Sequence, residues 1–213
     1  MVSFAPRCRV IDPLSLLAAV CVIVAACGEY AHTNPYDPAT PVTIVISGPD
    51  TAYSLHQDVS FTYQIDRTWE GVPPVWLSGN DAILSERGPG QFQVSGVGTT
   101  DVSLSVGVHT GHHRVVVIQR PKHALFCYFA ACPTSLALGG VATLSVVQTD
   151  SLGTALLAGQ SPAPVQYDVR PAGILQILGT SPLSVQVKAI GSGRAYLIAA
   201  LGASLDSVAI AVQ

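Results

Sequence analysis

Charge is scarce in this chain: 11% of its 213 residues are Asp, Glu, Lys or Arg, and the 10 basic residues are outnumbered by 13 acidic ones. A surface so poor in cations cannot neutralise a phosphate backbone, which excludes nucleic acid as a partner. Long apolar runs are also missing. The longest, Leu14 to Ala26, stops short of the roughly 18–20 residues a membrane-spanning helix needs. The nucleophile elbow G-x-S-x-G, the phosphate-binding G-x-x-x-x-G-K, the metalloprotease H-E-x-x-H, the dinucleotide G-x-G-x-x-G and the calcium loop D-x-D-x-D-G are absent. No motif asks for catalysis or a cofactor, so the chain is read as a non-enzyme.

What is present begins at the N-terminus. Arg7 and Arg9 precede the apolar run, Pro13 opens it, and the small residues Ala25 and Ala26 stand before Cys27. This is the layout of a cleaved secretory signal helix over residues 1–26. The four residues Val24-Ala25-Ala26-Cys27 resemble the lipobox of bacterial lipoproteins. That resemblance implies cleavage before Cys27, acyl chains on its thiol and amine, and attachment to a membrane through the lipid. With several chains at about 0.8 kcal/mol per buried CH₂, such an anchor holds firmly. Gly28 follows the cysteine, where the enterobacterial sorting rule would place Asp for inner-membrane retention. The expected address is therefore the bacterial outer membrane, periplasmic or surface-exposed. The alternative is a plain secretory signal with a chance cysteine.

Residues 27–41 carry three prolines and no periodicity, which reads as a tether. Of the five cysteines, Cys8 and Cys21 leave with the signal and Cys27 is taken by lipid. Cys127 and Cys132 remain, in an oxidising compartment, as a candidate disulfide or as two separately buried thiols. Their spacing suits no zinc site.

The remainder is rich in Val, Ile, Leu, Thr and Ser between Gly and Pro, with 49% hydrophobic residues overall, a composition that favours strands. Val59, Phe61, Tyr63 and Ile65 alternate with polar residues, placing four large side chains on one face of a strand. Further strands are expected at Thr43–Ile46, Val75–Leu77, Ala82–Leu84, Gln91–Val97, Asp101–Val108 and Val115–Gln119, and again from Ser135 to Val212. Two β-sandwich domains, 42–120 and 134–213, follow from this rhythm. Residues 121–133 are their junction and the first strand of the second, where Phe126, Tyr128 and Phe129 are expected to plug the seam rather than form a binding platform.

His109, His112 and His113 of the H-T-G-H-H stretch fall at an expected turn between strands. They are the one weak candidate for a metal site, and a polar hairpin tip explains them without a metal.

An internal repeat links the halves. Trp76, Ile83-Leu84 and Gly88 match Tyr167, Ile174-Leu175 and Gly179 at an offset of 91 (167 − 76). A two-residue insertion then aligns Val97-Gly98 with Ile190-Gly191, and Val102, Leu104 and Val106 with Ala195, Leu197 and Ala199. A period of this size means tandem domains. Trp76, Ser78 and Asn80, followed by an apolar strand and a Gly turn, resemble the group 2 bacterial Ig-like domains of intimin- and invasin-type surface proteins. The second copy departs from the motif, with Tyr167 for the tryptophan and no Ser or Asn after it. The resemblance implies an all-β fold of two tandem Ig-like β-sandwiches used for binding, adhesion or spacing. The partner it implies is an envelope or surface protein or a polysaccharide. The rival reading is a metal-binding protein or metal-dependent enzyme using the histidine turn.

Overall fold

The computed structural model describes residues 42–66 and 72–213. The signal segment, Cys27 and the tether lie outside the described residues, as do residues 67–71. Among the described residues there are seventeen strands, and no helix long and apolar enough to cross a membrane.

The first nine strands are β1 (Ile44–Ser47), β2 (Thr51–Ala52), β3 (Asp58–Ser60), β4 (Thr62–Ile65), β5 (Val75–Ser78), β6 (Leu84–Gly88), β7 (Gln91–Val94), β8 (Gly98–Val106) and β9 (His109–Val117). They pair as β1-β4, β3-β7-β6 and β2-β9-β8-β5. Because β3 and β4 follow one another around Phe61, the first two groups run on into one layer facing the third. The remaining strands are β10 (His123–Phe126), β11 (Ser135–Leu136), β12 (Val141–Thr149), β13 (Gln166–Arg170), β14 (Leu175–Ser181), β15 (Ser184–Ala189), β16 (Gly193–Leu201) and β17 (Ser204–Val212). They repeat the scheme as β10-β12-β15-β14 against β11-β17-β16-β13. A four-stranded antiparallel layer in the order A-B-E-D over a G-F-C layer is the immunoglobulin arrangement. Both sandwiches are Ig-like.

The alternation read from sequence explains the cores. On β8, Thr100, Val102, Leu104 and Val106 are buried while the residues between them face out, and β16 shows the same pattern with Ala195, Leu197, Ala199 and Leu201. Each sandwich has its own apolar cluster, one around Trp76, Leu84, Phe92 and Leu104, the other around Leu144, Val187, Leu197 and Ile210. Burying each such side chain contributes about 1.5–3 kcal/mol, which offsets the cost of ordering the strand that carries it.

These equivalences correct the repeat register. β8 matches β16 and β9 matches β17 at an offset of 95 (193 − 98), so the insertion is four residues rather than two. The β14–β15 hairpin is longer than β6–β7 by two residues on each strand, and pairing in a ladder requires the additions to balance. Before the insertion the original offset holds: Gly88 and Gly179 stand at matching irregularities of their ladders.

The stretch expected as one strand from Val59 to Ile65 is two. Asp58–Ser60 pairs with β7 and Thr62–Ile65 with β1, and between them the Phe61 N–H donates to the Gly90 carbonyl at 2.8 Å. Its four large side chains stay on the core side with diminishing cover. Val59 and Phe61 are buried, Ile65 is half-buried, and Tyr63 is exposed at the margin, edge-on to Trp76.

Candidate functional site

The residue pattern pointed to four places, and the structure locates three of them; Cys27 lies outside the described residues. The histidines are in β9 and not at its turn. The turn is Gly107-Val108, since Val106 pairs with His109 and Gly107 takes φ 61°, as the first central residue of a two-residue hairpin turn of the II′ kind requires. The same turn recurs at Gly202-Ala203. Alternation then separates the imidazoles. His109 and His113 are half-buried on the side of Gly111, whose backbone lies against Ile44, while His112 is exposed on the other side, opposite Ser103. His113 Nε2 stands 3.2 Å from an Asp50 carboxylate oxygen, with its ring edge-on to Phe61. Among the described residues no three His, Cys, Asp or Glu converge to hold a metal.

Trp76 and Tyr167 occupy equivalent positions on β5 and β13. Trp76 is buried, edge-on to Phe92 and Tyr63. Tyr167 is half-buried, its ring 6.3 Å from that of Phe126 and its hydroxyl donating to the Ser181 carbonyl at 3.0 Å. Burial pushes the Tyr167 phenol above its ordinary 10.0.

Directly after β10, Cys127 and Cys132 are bonded, with Cα atoms 5.4 Å apart, closing a small loop. Cys127 N–H donates to the Ser145 carbonyl of β12 at 3.0 Å, which fixes the loop to the sheet. Of the three aromatics expected to fill the seam, only Phe126 is buried, and it belongs to the core of the second sandwich. Tyr128 and Phe129 project from the disulfide loop, 46% and 78% exposed, in edge-to-face contact at 4.8 Å. The Tyr128 hydroxyl reaches the Gly153 carbonyl at 3.4 Å.

Phe129 forms one wall of a cavity of about 390 Å³, whose other walls include Leu157, Pro162 and Leu183. Its volume falls in the roughly 300–1,000 Å³ range of ligand sites. The walls are held from beneath by buried Gln148. Its amide N–H₂ donates to the Ala163 and Pro182 carbonyls at 2.6 and 3.0 Å, and its amide oxygen accepts the Ala163 N–H at 2.8 Å. Among the described residues no titratable side chain lines the cavity. What it offers is apolar contact beside an exposed aromatic ring, with no group placed to move a proton.

The seam is polar where an aromatic plug was expected. Asp150, buried at the end of β12, accepts the Leu55 N–H of the first sandwich at 2.9 Å and the Gln119 amide at 3.1 Å on one carboxylate oxygen. Its other oxygen accepts the Leu152 and Thr154 N–H groups, both at 3.0 Å. Gln119 also reaches the Ala155 carbonyl and accepts the Leu157 N–H, and the hydroxyls of Ser54 and Ser151 lie 2.7 Å apart. The plug failed because Tyr128 and Phe129 stay exposed on the disulfide loop, whereas the chain crosses between sandwiches as Gln119-Arg120-Pro121-Lys122. That segment is bonded to Tyr53 on one side and Thr149 on the other. The signal for the seam was Asp150-Ser151-Leu152-Gly153, a turn sequence holding one of the few charges of an uncharged half.

No family model and no curated protein matches the chain. Solved structures with a similar arrangement include domains 4 and 5 of the S-layer protein SbsC, at 15% identity over 81% of this chain and 99% of that one, TM-score 0.38. The Escherichia coli adhesin FdeC is similar at 12% identity, over 80% of this chain and 62% of that one, TM-score 0.41. The Yersinia pseudotuberculosis adhesin InvE is similar at 15% identity, over 81% and 58%, TM-score 0.36. The Ig-like assignment rests on the strand order above.

Proposed function

We propose that this chain is a lipid-anchored protein of the bacterial outer membrane, periplasmic or surface-exposed, whose two Ig-like modules act by binding, adhesion or spacing. In this reading Cys27 carries the lipid, residues 27–41 are the tether, and the modules are the two sandwiches, joined through Gln119-Arg120-Pro121-Lys122 with β10 as the first strand of the second. The lipobox-like Val24-Ala25-Ala26-Cys27 supports the address.

The observation that carries a binding role is the Phe129 loop. An aromatic side chain left 78% exposed on a disulfide-closed loop, beside a cavity without titratable groups, suits contact with a partner and not turnover of a substrate. The partner is an envelope or surface protein or a polysaccharide. The polar seam adds to this reading, since Asp150 of the second module bonds Leu55 and Gln119 of the first.

Two measurements test the proposal. Mass spectrometry of the mature N-terminus should find acyl chains on Cys27; an unmodified cysteine rules out the anchor. Crosslinking in intact membranes should capture a partner that Phe129→Ala loses, and capture unchanged by that substitution removes the loop from the binding role.

A further inference from the structure

The two modules expose the same edge of the same sheet in opposite ways. β5 and β13 are equivalent end strands, each paired among the described residues on one side only, to β8 and β16 respectively. On β13 the Asp168 carboxylate accepts the Val169 N–H and the Arg170 Nε–H, both at 2.8 Å. A charged group therefore sits over the edge and occupies one of its free donors, a known way of keeping edges from pairing. The position of Asp168 is held on β5 by Leu77. There the outward side chains are Val75 and Leu77, 51% and 52% exposed, and their neighbours on β8 are the uncharged Ser105 and Ser103. Both edges belong to one fold, and among the described residues only β13 carries a charged side chain bonded over its edge, while β5 has only Pro73 and Pro74 at its entry.

We propose that the β5 edge is a self-association surface, at which a second copy of this chain adds its own β5 antiparallel about a two-fold axis through Trp76. The strand is its own complement in that register. Val75 falls opposite Leu77 of the second copy and Leu77 opposite Val75, so apolar meets apolar on the outer face while each Trp76 stays on its own core. Pairing shifted by one residue would break this match. The result is one continuous sheet across two first modules, joined by main-chain hydrogen bonds as in strand addition.

The test uses the full chain in mild detergent. Sedimentation velocity should show a dimer that grows with concentration, and Leu77→Asp, which copies the guarded edge, should abolish it with the unfolding midpoint unchanged. A mixture of Val75→Cys and Leu77→Cys chains should form a disulfide-linked heterodimer that Val75→Cys alone does not form. This readout stands whether or not Leu77→Asp folds. A chain that stays monomeric at the highest concentration reached overturns the proposal. So does a dimer that Leu77→Asp leaves intact, the behaviour of copies merely sharing a micelle, and so does a mixture that fails to crosslink.

Discussion

The Asp150 carboxylate in the second sandwich accepts the Leu55 N–H of the first at 2.9 Å, and it does so without exposure to solvent. A buried acceptor of this kind stabilises chiefly through what its loss leaves behind. Asp150→Ala strands the N–H groups of Leu55, Leu152 and Thr154 and one amide proton of Gln119, donors that water reaches poorly at the seam. The expected cost is about 2–4 kcal/mol. Chemical unfolding should show it as a lowered midpoint of the second transition or of a single shared one. Small-angle scattering should show a broader spread of inter-module distances. An unchanged scattering profile would mean that Ser54, Ser151 and the short connector hold the angle without Asp150.

The loop closed by Cys127 and Cys132 is short, so its bond removes little entropy from the unfolded chain. Replacing both cysteines by Ser should cost about 2 kcal/mol. The effect on Phe129 is expected to be larger than the effect on the fold. Amide exchange should rise at residues 128–131 and stay unchanged on β16 and β17, whose core does not depend on the loop. Protection lost evenly across the second module would contradict this.

Two neighbouring glycines separate backbone need from mere position. Gly90 takes φ 69°, and a Cβ there would lie 2.6 Å from the Phe61 carbonyl oxygen and 3.4 Å from the Trp76 ring. Gly90→Ala is expected to destabilise the first module by about 1–3 kcal/mol. Gly88 meets nothing within 4 Å and has an ordinary φ, so Gly88→Ala should be close to neutral. Thermal unfolding of the two variants side by side checks the contrast.

Much of this architecture was legible because period-two alternation is a local property. Val102, Leu104 and Val106 declare their buried face without reference to any partner strand, and the Trp76 to Tyr167 repeat carries the tandem arrangement. What escaped depended on pairing. Phe61 looks continuous with its neighbours in sequence, yet the strand changes partner there. The hairpin turn at Gly107-Val108 was read as strand because a glycine and a valine in line with an alternating run give no sign of a positive φ. The seam escaped for a related reason: Asp150 is one polar residue whose partners, Leu55 and Gln119, are distant in sequence and bond through groups that composition does not reveal. At the candidate site, the exposure of Phe129 depends on how the Cys127–Cys132 loop packs against residues 153–157, which are distant in sequence, and no local pattern sets that.

Asp168 guards the β13 edge, and its protonation sets when the guard fails. The Arg170 guanidinium hydrogen bond, then the Val169 N–H, hold its carboxyl below the ordinary 3.8. A carboxyl lowered in the folded state contributes fully above its unfolded value, and the contribution is lost as pH falls through the lowered one. The guard should therefore persist at neutral and mildly acidic pH and fail only below 3.8. Asp168→Ala removes it at every pH and frees the Val169 N–H for pairing. Light scattering of that variant at neutral pH should show association beyond the wild-type level, with little change in unfolding midpoint because Asp168 is exposed. Combining it with Leu77→Asp separates the two edges: association that survives in the double variant belongs to β13, and a double variant that is monomeric at neutral pH would show that Asp168 does not guard this edge.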